Sequence, residues 1–218
     1  MPALNSQVKF REVWAWSMYD FANSGYTTVV ITAVFSAYFV SVVSQNSPWG
    51  TFAWTAALSV SYALILLTGP LVGAWADKHG AKKKLLFLST IGCVIFTALL
   101  YYASPGAVAL ALLLVVFSNY FFGVGENVIA AFLPELADSK AMGRVSGWGW
   151  SFGYLGGLTS LGICLFYILS QPGTPASETV PITMLITAAL FALFATPTFL
   201  FLRERAVPQV QTENPLTR

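Results

Sequence analysis

Two carboxylates stand where an apolar sequence should hold none. Asp20 and Glu126 each interrupt a long hydrophobic run. Placing an acid inside a membrane span costs about 2.5–3.5 kcal/mol on insertion scales, so such residues face a bundle interior or a water-filled cavity. There a carboxylate can exchange a proton or hold a polar solute. Their surroundings are polar as well. Asp20, Asn23 and Thr27 follow three-and-four spacing with Ser24 beside them, and Asn119, Gly123 and Glu126 do the same with Asn127 beside them. Two helices would thus each present a polar stripe, and the simplest packing turns both toward one cavity. The predicted solute or proton site is Asp20, Asn23, Asn119, Glu126 and Asn127. The competing reading is a pair of interfacial acids that reach headgroups or nearby Lys and Arg. Neither acid has a cationic partner within its own run.

The elements that must position these residues are helices in a membrane. Of the 218 residues, 56% are hydrophobic and only 9% charged, whereas soluble domains carry about 25% charged residues. Apolar runs cover residues 13–43, 52–76, 85–103, 107–133, 145–169 and 181–202. A spanning backbone must satisfy its own hydrogen bonds, which makes the runs helical. The expected fold is an all-α integral membrane bundle of six transmembrane helices. The lead is residues 1–12 and the bundle residues 13–202, followed by a disordered tail at 203–218. At 1.5 Å per residue the first run extends about 46 Å, beyond a hydrocarbon core of about 30 Å. Its start, with Trp14 and Trp16, is expected at the interface. It is too long for a signal-peptide core, so it reads as a permanent helix. Asp20 lies seven residues inside one run and Glu126 seven residues from the end of another. Both then sit at one depth, roughly 10 Å in.

Charge sets the orientation. All eleven Lys and Arg fall in the lead, in the loops after the second and fourth runs, and in the tail; the three opposite loops have none. The positive-inside rule places both termini in the cytoplasm, with the plasma (inner) membrane as the expected location. A net charge of +2 gives no reason to expect nucleic acid as a partner. Cys93 and Cys164 lie in apolar runs without metal-ligand spacing and read as small buried residues. His79 sits in the basic turn as a solvated residue. No buried histidine, metal cluster or Ser-His pair supports an enzyme, a metal site or a cofactor.

Two further patterns concern packing. Gly149, Gly153 and Gly157 form successive small-xxx-small steps at the start of the fifth run, a face suited to close helix contact. Trp148, Trp150 and Tyr154 lie near enough to that face to line a cavity, but core packing is the favoured reading. Residues 69–85, GPLVGAWADKHGAKKKL, place Gly69, Gly73 and Asp77 on one helix face and end in a basic turn. Arg144 is expected to pair with Glu135, Asp138 or lipid phosphate.

The basic turn resembles the loop signature of the major facilitator superfamily through Gly73, Asp77, Lys78, Gly80 and Lys82, with Trp75 and Ala81 in place of a leucine and a base. YDFANS at 19–24, NVIAAFLPELAD at 127–138 and RVSGWGWSFGYLGG at 144–157 are more specific. Together they resemble the autophagy-related-protein-22-like family of that superfamily, over about residues 13–202. The resemblance implies a transporter of two six-helix halves that works by alternating access, with the first and fourth spans lining the cavity. Some fungal relatives are linked to amino-acid efflux from the vacuole. It also implies that Asp77 engages the opposite half. The antiporter signature of the superfamily is incomplete here, because its proline is missing. Six spans match only the amino-terminal half of that fold, so the expected partners are the lipid bilayer, a small-molecule solute and a second six-helix half, either a separate chain or a homodimer copy. The alternative is a non-transporting truncated remnant or an accessory membrane subunit. Carboxylates and amides suit a cationic or zwitterionic solute, amino acids included, while sugars, peptides and drugs stay open.

Overall fold

The computed structural model describes residues 4, 5 and 7–205. It is 83% helix, and the described residues form no strand. Six helices are long and apolar enough to cross a membrane: Phe10–Val43, Gly50–His79, Lys82–Tyr102, Val108–Leu136, Met142–Leu169 and Ala176–Phe201. We refer to them as spans 1 to 6. Their bounds follow the apolar runs, with one notable exception. Span 6 starts at Ala176 rather than near Pro181, because Pro175 sets the entry and Pro181 is carried inside the helix. The internal proline forgoes one ladder hydrogen bond.

Span 1 is the centre of the bundle. It packs against spans 5 and 6, while span 4 joins spans 2 and 3 and span 3 closes against span 6. It buries Tyr19, Tyr26, Phe35 and Phe39 completely. In a bilayer, apolar burial does little to hold helices together, so interhelical hydrogen bonds and close packing carry more of the association. Such bonds recur along span 1. Tyr19 and Thr90 share one of 2.9 Å, Tyr26 and Ser118 another of 2.9 Å, and Thr198 donates to the Ala15 carbonyl at 2.7 Å. Trp16 is only 6% exposed and donates its indole N–H to the Ile129 carbonyl at 2.9 Å. The indole expected at the membrane interface is turned into the bundle, where a carbonyl near the end of span 4 accepts its N–H.

Span 1 is not a uniform α-helix. Its middle, Thr27–Ala33, and its end, Phe39–Val43, are wound as π-helix. Residues 27–32 are Thr, Thr, Val, Val, Ile and Thr. Branching at Cβ crowds each side chain against the preceding turn and weakens the α-helical preference.

Span 5 meets span 1 through glycine. A Cβ on Gly149 would lie 2.6 Å from the Trp16 ring, one on Gly153 2.8 Å from Ser24 Oγ, and one on Gly157 2.7 Å from Thr28 Oγ1. Gly156 is tighter still, since its Cβ would overlap the Phe21 carbonyl oxygen. The expected glycine face is there, and Gly156 belongs to it.

The charged ends of the helices lie together. Gly80 adopts the left-handed conformation (φ 56°) that ends span 2, and the Ala81 N–H returns to the Ala76 carbonyl at 2.9 Å. The Glu204 carboxylate accepts the Lys82 N–H at 2.7 Å and the Lys83 N–H at 3.1 Å, which caps span 3. Arg205 pairs with the buried Glu12 at 2.8 Å and donates its backbone N–H to Glu135 at 2.7 Å. Residues 203–205, assigned to the tail from the sequence, thus lead into this network and join it. The rest of the tail, 206–218, lies outside the described residues. Arg144 makes no salt bridge to Glu135 or Asp138 among the described residues. Glu135 engages Lys82 and Arg205, while Asp138 accepts the Ala141 N–H at 2.9 Å.

Candidate functional site

Span 1 brings Asp20, Asn23, Ser24, Thr27 and Thr28 to one side of a cavity of about 450 Å³. Span 4 contributes Phe122 and Glu126, and span 5 contributes Trp150, Gly153, Tyr154, Gly157 and Leu158. The glycines make the arrangement possible, because without side chains at 149, 153 and 157 the two backbones approach closely enough to set the aromatic residues beside the acids.

Asn23 joins the helices. It is 2% exposed, and its amide donates to Glu126 Oε1 at 2.7 Å. The Asn23 side chain is thereby fixed in rotamer and the two carboxylates are held to one cavity. Phe122 is in turn fixed by stacking on Tyr26, with ring centroids 5.0 Å apart. Asp20 and Glu126 form no salt bridge among the described residues.

The two stripes read from the sequence converge only in part. Asp20, Asn23 and Glu126 come together, with Ser24 and Thr27 beside them. Asn119 does not join them. It is fully buried between spans 4 and 2, and donates to Ser61 Oγ at 2.9 Å. Asn127 faces a separate cleft of about 90 Å³ with Gly69, Gly73, Asp77 and Lys82. The reason is geometric. Asn119 and Glu126 are nearly two turns apart, since seven residues fall only slightly short of two turns, but span 2 covers one end of the stripe. Asn127 lies a further 100° around the helix, roughly, and so belongs to a different face.

The cavity also holds three aromatic residues, Phe122, Trp150 and Tyr154. Core packing is the role expected of Trp150 and Tyr154 over cavity lining, yet they are 66% and 68% exposed in this bundle. Their signal was present in the sequence. They are four residues apart and flank Gly153, so they share the face that the glycines open.

The loop signature is a structural joint in this chain. Lys82 bridges Asp77 at 3.5 Å and Glu135 at 3.2 Å, Gly80 ends the helix, and Lys78 is exposed. Nothing lies within 4 Å of a Cβ placed on Gly69 or Gly73, so both glycines open onto the cleft between spans 2 and 4.

Comparison with known proteins agrees with this architecture. The family described as vacuole effluxer Atg22 like matches residues 138–217. The chain is 29% identical over 202 residues to an uncharacterised MFS-type transporter, YxiO, of Bacillus subtilis (strain 168), an alignment that takes in 88% of this chain. The chain spans about half the length of that relative, 46%. These similarities, with six apolar spans, support a major-facilitator-like six-helix half and an integral membrane protein.

Proposed function

We propose that this major-facilitator-like half moves a small solute across the membrane by alternating access, rocking against a second six-helix half around the cavity between spans 1, 4 and 5. The observation that carries the reading is the convergence of Asp20, Asn23 and Glu126 on one cavity of about 450 Å³, a volume suited to a small solute. The second half lies outside these 218 residues, and both ends of this half are cytoplasmic at the plasma membrane. The gathering of the lead, the loops after spans 2 and 4 and the chain's exit at one end supports that topology. Amino acids are among the candidate solutes. Protonation of Glu126 or Asp20 couples the motion to a proton gradient. No enzymatic role is assigned.

The test is reconstitution. The purified chain, alone and with any six-span partner, is assayed in nanodiscs for assembled mass. It is then assayed in proteoliposomes for uptake of a labelled amino-acid mixture with and without a pH gradient. A dimer or one-to-one complex that accumulates solute is the expected result. Transport unchanged in both Asp20→Asn and Glu126→Gln overturns the assignment of the site and its coupling. A second reading is an accessory membrane subunit that does not itself transport. A monomer without uptake in any combination favours it.

A further inference from the structure

We infer that the solute of this cavity is a small organic cation, an ammonium ion with apolar substituents. The inference rests on the proposed role of the cavity and adds its chemical selectivity.

Three features of the cavity combine. The first is charge. Asp20 and Glu126 line it, and none of its lining residues is Lys, Arg or His. Asn23 satisfies one oxygen of Glu126, and neither oxygen of Asp20 accepts a hydrogen bond among the described residues. An anion would meet two acids and no base. A zwitterion would find charged partners for its amine but only neutral hydroxyl, indole and amide donors for its carboxylate. The second is the aromatic wall. Trp150 and Tyr154 line the cavity with ring centroids 6.4 Å apart and are largely exposed in this bundle, and Phe122 stands on the opposing helix. Aromatic faces attract ammonium groups, and quaternary ones in particular, since those cannot hydrogen-bond to a carboxylate. The third is volume. About 450 Å³ holds an ammonium group together with its substituents, where a bare metal cation would leave most of the space unfilled. The acids alone would suit any cation, and the rings alone any apolar group. The combination selects a cation with an organic body.

The test reads charge selectivity at the cavity. Thr27→Cys is made with Cys93→Ser and Cys164→Ala, and the full chain is placed in nanodiscs at pH 8. Its modification rates with trimethylammonium-ethyl and sulfonato-ethyl thiosulfonates are compared with those at Ser170→Cys, an exposed site outside the cavity. Two nearby carboxylates should raise the cation-to-anion rate ratio about tenfold over the reference site. Asp20→Asn with Glu126→Gln should return it to within about twofold. Choline should protect the thiol, and its neutral isostere 3,3-dimethylbutan-1-ol should not. Trp150→Ala with Tyr154→Ala should weaken choline protection several-fold. Circular dichroism and size-exclusion profiles check folding, and Ser24→Cys replaces a Thr27→Cys protein that fails them. If both reagents react at the reference ratio, or if the isostere protects as well as choline, the inference falls and the cavity reading stands. If neither reagent reaches the cavity thiol while Ser170→Cys reacts, both fall.

Discussion

Gly156→Ala tests the crossing on which the site depends. Its Cβ would lie 2.6 Å from the Phe21 carbonyl carbon and 2.7 Å from its Cα, and it would overlap the oxygen as well. These are backbone atoms of a helix, so no rotamer change relieves the clash. Spans 1 and 5 must part by roughly 1 Å, an overpacking that typically costs about 1–3 kcal/mol. Alanine also favours a helix interior over glycine by up to about 1 kcal/mol, which would mask part of the loss. Gly162→Ala on the same span removes that ambiguity, because its Cβ meets nothing within 4 Å. For a chain of this size each kcal/mol shifts the melting midpoint by about 2–4 °C. Gly156→Ala should therefore melt roughly 2–12 °C below Gly162→Ala in the same detergent, by tryptophan fluorescence. Gly153→Ala should lose less than half as much, since its nearest neighbour is the Ser24 hydroxyl, which can rotate away. If Gly156→Ala and Gly162→Ala melt within a degree of each other, spans 1 and 5 do not approach as described, and the cavity built on their crossing goes with them.

Other contacts give independent checks. Glu204→Ala removes the carboxylate that caps span 3 and should destabilise the protein by about 0.5–2 kcal/mol, with faster amide exchange confined to the start of that span. Arg205→Ala leaves Glu12, 3% exposed, without its cation and should cost about 1–3 kcal/mol in thermal or denaturant unfolding, with Glu12→Gln in the same background restoring part of the loss. Trp16→Phe keeps an aromatic ring but removes the indole N–H, leaving the Ile129 carbonyl its backbone bond from Phe132, at about 0.5–2 kcal/mol by the same measurement. Asn23→Ala should release Glu126 from its fixed rotamer and change labelling at Thr27→Cys more than it changes stability.

Much of this architecture is legible in the sequence because membrane solvation constrains it so tightly. The six spans follow from apolar runs alone, and glycines at four-residue spacing mark the face of span 5 that packs closely, without naming the helix that meets it. Asp20 and Glu126 are visible because an acid in an apolar run is costly enough to demand a reason. Asn119 shows where this reasoning weakens. Periodicity gives the face of a helix, and only the neighbour decides whether that face meets water or another helix. Here Ser61 supplies that neighbour. Glu12 and Glu204 illustrate a second limit. Their partners are 193 and 122 residues away in sequence, and no local pattern predicts a bond across that separation. Gly156 escaped for a simpler reason, since counting in fours passes over a residue three positions from Gly153.

The π-wound stretch at Thr27–Ala33 carries a consequence for tracing descent. Each residue added to a helix turns everything beyond it by about 100°. A wide turn absorbs such an addition locally, so that both ends of span 1 keep their neighbours. A single-residue insertion or deletion can thus be inherited in the middle of this span without scrambling the bundle. Alignments of descendants should open a one-residue gap there, inside a transmembrane helix. Forcing that gap outward into a loop would shift either Asp20 or Phe39 onto the wrong column.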